Sequence, residues 1–549
     1  MGGIMKKSVF IKGATILSLA GIIVKILGAF FKIPLANMIG DTGMAYFTPS
    51  YYIYSFFLTL ATAGIPVAIS KLVSESRTLG NDVQAQRVFI LSSRLMLALG
   101  AVSFAIVFFG AELFANALQL PEIIISMKSI APALLIVPLL ASYRGYFQGI
   151  HNMMPTAISQ IVEQGFRVII GLLFAYILYA QVLELPLAYS PEALGAAGAT
   201  FGAVAGAFGG LIAIVLIYFI FKKKGQFNLS KTDIPTKRDS WQSIVKTIVM
   251  ISIPITIGAT LMPITNLVDA AIVNPRLLAA GFAPETAKSL YGQLTGFAGP
   301  ITNLPLVFTQ AIAVTMVPLA AAAYKMREQQ SLETQVIIAL RLSVIIALPC
   351  MVGLIILAKP ILLMLYPSQI ESAMNAVPCL MILAFGVFPL AIAQTMTGVL
   401  QGIGKQSVPV KNLGMGLLLK VILTWILVAS PFFNIVGAAI GTVIGYFLAA
   451  ILNTISVIRY TKITLHFKQV FLRPLLPTFI MAMATIIVYE MMMFLFNRNS
   501  ISTLTAVFIA VIIYGIALIL TKVITKDEIE RIPFPAKLMP IKNWLLKRL

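Results

Sequence analysis

The chain has 549 residues, of which 59% are hydrophobic and 11% charged, and its mean hydropathy is +0.96. Soluble domains carry about a quarter charged residues, so a soluble fold is excluded. Lys and Arg number 40 against 19 acids; the basic residues fall between apolar runs, where the positive-inside rule explains them, and no nucleic-acid partner is expected.

Taken in order, the apolar runs predict an all-α polytopic membrane protein with about fourteen transmembrane helices, each run being long enough to cross a bilayer. The spans read as 13–39, 46–71, 88–111, 125–149, 155–182, 194–221, 247–273, 290–319, 335–358, 372–402, 411–430, 435–458, 474–496 and 501–521. The runs are continuous rather than alternating, which sets a β-barrel aside. The first one, in MGGIMKKSVFIKGATILSLAGIIVKILGAFFKIPLA, follows basic residues as a signal peptide would. It is too long for that and holds internal lysines, so it reads as the first membrane helix.

The connections alternate in charge. SKLVSESRTLGNDVQAQR, FKKKGQFNLSKTDIPTKRDSWQ, YKMREQQ, GIGKQSVPVK, RYTKITLHFK and the tail from 525 are basic. IGDTGMAYF, AELFANALQLPE and VLELPLAYSPEA are nearly free of basic residues, with Arg276, Lys288, Lys359 and Arg498 the exceptions on that side. The first set and both termini are therefore expected on the cytoplasmic face, as in a multi-pass protein of a bacterial plasma membrane. No stretch outside the spans is long enough to form a core of its own. The terminal LMPIKNWLLKRL either lies on the inner leaflet or is a solvated tail. Cys350 and Cys379 fall in or beside apolar runs and read as packing residues.

Two segments recur six spans apart. RGYFQGIHNMMP (144–155) resembles TGVLQGIGKQSVP (397–409), and GAAGAT (195–200) resembles GAAIGT (437–442). Six is an even number, so the copies keep the same orientation and are related by an axis along the membrane normal, with a transporter's substrate site near the bilayer centre between them. The expected organisation is an N-lobe 1–222, a linker 223–246, a C-lobe 247–459, two further helices within 460–522 and a tail 523–549. Prolines at 66, 132, 138, 254, 263, 300 and 305 free backbone carbonyls and permit bends.

Charge inside a span costs ~2.5–3.5 kcal/mol, so deep charges are functional candidates. Lys25 and Arg167 each lie ~18 Å into their helices at ~1.5 Å per residue; Glu163 and Lys420 are somewhat shallower. Lys32 shares a face with Lys25. Glu163 and Arg167 stand four apart and either neutralise one another in the protein interior or line a wet cavity. Lys25 has no acid within reach on its own helix. A cavity lined by Lys25, Lys32 and Arg167 would be cationic and would suit phosphate or pyrophosphate. Arg144, Asp269 and Lys420 are secondary candidates. Lys128, Asp269 and Glu490, near helix ends, and Arg94 and Arg341, near cytoplasmic ends, also read as residues that snorkel to the interface. The two histidines, His151 and His466, fall in connections. No metal site, cofactor or P-loop is expected, so the chain would not drive transport by its own ATP hydrolysis.

IVKILGAFFKIPLANMIGDTGMAYF, AGIPVAISKLVSE and YRGYFQGIHNMMPTAISQIVEQGFRV resemble the polysaccharide-export branch of the multidrug/oligosaccharidyl-lipid/polysaccharide (MOP) flippase superfamily. Within it they resemble the Gram-positive group of stage V sporulation protein B and the MurJ-type lipid II flippase YtgP. The resemblance covers essentially the whole chain, and 144–168 is its most specific part. It implies two six-helix lobes around a central cavity, two C-terminal helices forming a groove for a lipid tail, and transfer of an undecaprenyl-pyrophosphate-linked glycan to the outer leaflet. Lipid II is the expected glycan, and a coupling ion or the membrane potential the expected drive. Lys25 matches a cavity arginine of MurJ-type proteins, and Lys32 lies near a second. The family's further cavity arginines have no counterpart in YSFFLTLATAGIP or YGQLTGFAGPITNLP, and Arg167 is the residue expected to supply the missing charge. The alternatives are a flippase for another lipid-linked polysaccharide and a MATE-like antiporter, which should have an acidic cavity. A membrane glycosyltransferase or polymerase would need carboxylates or histidines at a membrane face, and these are not evident.

Overall fold

The computed structural model describes residues 2–182, 189–224, 239–465 and 467–523. His466, most of the linker and the terminal segment 538–549 lie outside the described residues. The long helices are α1 (Gly2–Thr62), α2 (Ile65–Thr78), α3 (Asp82–Phe109), α4 (Ala133–Gly149), α5 (Met154–Val182), α6 (Pro191–Lys223), α7 (Trp241–Ala279), α8 (Leu306–Lys325), α9 (Gln329–Ile356), α10 (Val387–Gly402), α11 (Ser407–Val428), α12 (Asn434–Thr461), α13 (Leu475–Phe496) and α14 (Asn499–Leu520).

Among the described residues thirteen helical stretches are long and apolar enough to cross a membrane, and the first, Leu19–Thr78, runs for 60 residues. That first stretch contains two crossings. Gly40 breaks α1 with φ 68°, a left-handed backbone that favours glycine. The chain then doubles back: the rings of Phe31 and Phe47 lie 5.9 Å apart, whereas sixteen residues of straight helix would separate them by ~24 Å. The count of fourteen read from the sequence follows. Local signals set the ends of several helices. The side chain of Asn81 accepts the backbone N–H of Gln84 at the start of α3, and Ser190 and Ser240 cap α6 and α7 in the same way. The expected eighth span is the most broken. It comprises Pro284–Gly292, a π-helical turn Gln293–Ala298, Gly299–Asn303 and α8.

The chain forms two compact units, Met1–Gly296 and Phe297–Leu549. In the first, Ile69, Val73, Met96, Phe147 and Ile214 are among the residues of a core built from α2, α3, α4 and α6. In the second, Val336, Leu340, Met396, Leu400 and Ala449 hold α9, α10 and α12 together.

Glycines set the closest approaches inside each unit, and they repeat. On α4, an added Cβ at Gly145 would lie 2.8 Å from the Pro66 carbonyl oxygen, and one at Gly149 would lie 2.9 Å from that of Ser70. On α10, an added Cβ at Gly398 would collide with the Ala313 carbonyl oxygen, and one at Gly402 would lie 2.6 Å from that of Val317. The second repeat keeps its partners but shifts its register. Gly198, Gly202 and Gly206 of α6 press on Phe174, Arg167 and Glu163 of α5; Gly437, Gly441 and Gly445 of α12 press on Leu427, Lys420 and Gly416 of α11. Packing thus aligns GATFGAVAG (198–206) with GAAIGTVIG (437–445), three residues away from the match of GAAGAT with GAAIGT. Small residues every fourth position let two backbones touch where a hydrophobic driving force is lacking.

Arg341 also departs from expectation. Its side chain does not snorkel: it is 6% exposed and donates from Nη2 to the Val523 carbonyl, so it secures the end of α14. Lys128, Arg94 and Glu490 are exposed.

Candidate functional site: a cation-lined cavity in the first unit

Three helices build the site, and each brings its residues by a local feature. The bend at Gly40 lays the two limbs of α1 side by side, so Lys25 and Lys32 on one limb face the same cavity as Phe47 and Tyr51 on the other. Lys25 and Lys32 are seven residues apart, two turns of one helix face. The glycine row of α6 draws α5 in until Gly206 would place a Cβ 3.0 Å from the Cβ of Arg167. This fixes the backbone from which Glu163, Gln164 and Arg167 project.

The result is a cavity of about 290 Å³ whose polar lining is Lys25, Lys32, Tyr51, Gln164, Arg167 and Thr200. A drug-sized ligand needs roughly 300–1,000 Å³. The space therefore suits a phosphate-sized group with some water, and a larger headgroup would extend out of it. Lys25 is exposed and Lys32 half-buried. Among the described residues Lys32 makes no hydrogen bond or ion pair.

Arg167 of the wall belongs to a three-charge cluster that extends behind it. Glu163 Oε2 accepts from Arg144 Nη2 at 2.8 Å and Oε1 accepts from Arg167 Nη2 at 3.0 Å. All three side chains are about 15% exposed. Arg144 also donates from Nε to Ser159 Oγ at 2.9 Å, and Arg167 donates from Nη1 to the Tyr51 hydroxyl at 3.3 Å. Two guanidinium charges against one carboxylate leave +1; with Lys25 and Lys32 the total is +3. Such a constellation can hold an oxyanion by charge-assisted hydrogen bonds.

The structure therefore brings together Lys25, Lys32 and Arg167 as cavity wall, with Glu163 and Arg144 as the layer behind them. Arg144, a secondary candidate, becomes a primary member of the cluster. Asp269 is half-buried on α7 and does not line this cavity. Lys420 belongs to the second unit, where it is 4% exposed and backed by Gly441 and Gly445. It is the packing counterpart of Arg167 in the repeat. The sequence reading missed Tyr51 and Gln164. Attention to charge alone passes over both, although Gln164 adjoins Glu163, and the bend at the GD pair of residues 40–41 is the signal that returns Tyr51 to the first limb.

Fold and site together define a polytopic all-α membrane protein with a cation-lined cavity in its first unit. A family model described as polysaccharide biosynthesis protein matches residues 10–322, and one described as MatE matches residues 295–426. The chain belongs to the polysaccharide biosynthesis protein family. It is 28% identical to the lipid II flippase MurJ of Bacillus subtilis over 82% of this chain and 83% of that one. It is 26% identical to stage V sporulation protein B of the same organism over 97% and 100%. Among solved structures, one described as lipid II flippase MurJ in an inward closed conformation superposes with a TM-score of 0.66 at 18% identity, over 91% of this chain and 97% of that one; this likeness shows the shared fold.

Proposed function

We propose that this protein is a flippase for lipid-linked glycans that moves undecaprenyl-pyrophosphate-linked sugars from the inner to the outer leaflet, with lipid II as its substrate. The observation that carries the reading is the cavity of Lys25, Lys32 and Arg167 between helices of the first unit that are long and apolar enough to cross a membrane. Three cationic groups at that depth are costly unless an anion meets them, and a pyrophosphate linkage supplies one. The relatives named MurJ and stage V sporulation protein B support the class. Matching glycine contacts inside each unit, α4 on α2 like α10 on α8 and α6 on α5 like α12 on α11, support two six-helix lobes, 1–222 and 247–459, which would alternate in access. Helices α13 and α14 would then serve the lipid tail, with both termini in the cytoplasm.

The MatE match over 295–426 favours a second reading, a MATE-like antiporter. A cavity of net positive charge opposes cationic drugs as cargo, so the glycan reading leads. The test is lipid II exposure in Gram-positive cells depleted of their own peptidoglycan flippases, read by an external enzyme that processes outward-facing lipid II. Restored exposure is expected. A protein that is made and inserted but restores nothing overturns lipid II as the substrate and moves the search to another lipid-linked glycan.

A further inference from the structure

Glu163 has no role in attracting an anion; by charge alone it opposes one. Its geometry nevertheless distinguishes its two partners. The bond to Arg144 is the fixed half: that guanidinium is held a second time by Ser159, which is itself buried, and it stands outside the cavity wall. The bond to Arg167 is the loose half. Arg167 lines the cavity, uses one Nη2 hydrogen bond to Glu163 and a long one to Tyr51, and has a buried Nε with no acceptor among the described residues. A guanidinium offers five donors in a planar fork matched to phosphate and carboxylate oxygens. Here Arg167 is only partly satisfied, and Gly202 and Gly206 fix its backbone so that only the side chain can turn.

We infer that Glu163 is the resident anion of the cluster: it occupies Arg167 while the cavity is empty and gives it up to the phosphate-bearing headgroup, keeping Arg144. The exchange answers the cost of leaving a buried guanidinium unpaired, since removing one partner of a buried pair is strongly unfavourable whereas swapping one anion for another is not. It also makes retention of the headgroup finite. When the headgroup leaves, Glu163 returns to Arg167, so release does not strand a charge. The inference rests on the headgroup reading of the cavity and adds to it a competitor built into the protein.

The test uses the purified full chain and inorganic pyrophosphate as probe, comparing wild type, Lys32→Gln, and the double variant Glu163→Gln/Arg144→Gln, whose net charge equals that of the wild type. Exchange predicts that the double variant binds pyrophosphate about tenfold more tightly, within the usual range of coupling between sites. Unchanged or weaker affinity, with wild type binding and Lys32→Gln impaired, overturns the exchange and leaves the cavity reading standing. No pyrophosphate binding by any form overturns both. A structure of the wild type with pyrophosphate decides the matter without a variant. The Glu163 Oε1 to Arg167 Nη2 separation should open from 3.0 Å beyond bonding distance, and a retained bond with pyrophosphate in the cavity overturns the exchange.

Discussion

At the scale of the residue, the site is a problem in how cations are held in a low-dielectric interior. Arg167 serves two acceptors on different helices, Glu163 on its own and Tyr51 on the second limb of α1. A lysine at that position keeps the charge but offers a point donor in place of a fork. Arg167→Lys is therefore expected to lower headgroup translocation by about tenfold, a loss of ~1.4 kcal/mol, while Arg167→Ala abolishes it, both with normal protein levels. Lipid II exposure per inserted protein measures this, and equal activity of Lys and Arg at 167 would remove the fork from the argument. The deep charges were legible in the sequence because each costs free energy that only a function or a partner returns. Arg144 was harder to place. Its partner Glu163 lies nineteen residues away on another helix, and only the turn between α4 and α5 brings them together.

At the scale of the element, helix spacing is set by glycine. An added methyl at Gly202 would sit 2.6 Å from the Gly171 Cα and 2.7 Å from the Arg167 carbonyl oxygen, both backbone atoms that cannot step aside. At Gly28, on the cavity wall, the nearest atom is the end of the Gln164 side chain at 3.5 Å, an ordinary contact. Gly202→Ala should cost about 1–3 kcal/mol by overpacking, and it should displace Arg167 as well. Gly28→Ala should be neutral or slightly stabilising, because alanine favours helix over glycine by up to about 1 kcal/mol. Thermal unfolding in detergent orders the two variants, and a Gly202→Ala protein as stable as wild type would show that α5 and α6 have slack the contacts deny. Span positions could be read from hydropathy. The repeat register could not, because GAAGAT and GAAIGT match by composition, whereas the true correspondence is fixed by which backbone each glycine touches. In the eighth span Pro300 and Pro305 signalled bends, but no residue pattern marked the π-turn Gln293–Ala298 that precedes them.

At the scale of the whole molecule, the reading of direction depends on sidedness, and sidedness rests on loop charge. Lys222, Lys223 and Lys224 close α6 on one side, while Glu112 stands at the opposite end of α3 from Arg77 and Arg87. If the basic ends are cytoplasmic, a headgroup made in the cytoplasm enters from the side of Lys224 and leaves from the side of Glu112. Single cysteines at these two exposed positions, in a background with Cys350 and Cys379 replaced by alanine or serine, test this directly. A membrane-impermeant maleimide added to intact cells should label Glu112→Cys and leave Lys224→Cys unlabelled until the cells are opened. The reverse pattern would invert the topology, and with it the proposed direction of transport, while leaving the cavity untouched: Lys25, Lys32 and Arg167 line it together in either orientation. Orientation and site chemistry are thus independent properties of the molecule, and labelling reports on the first alone.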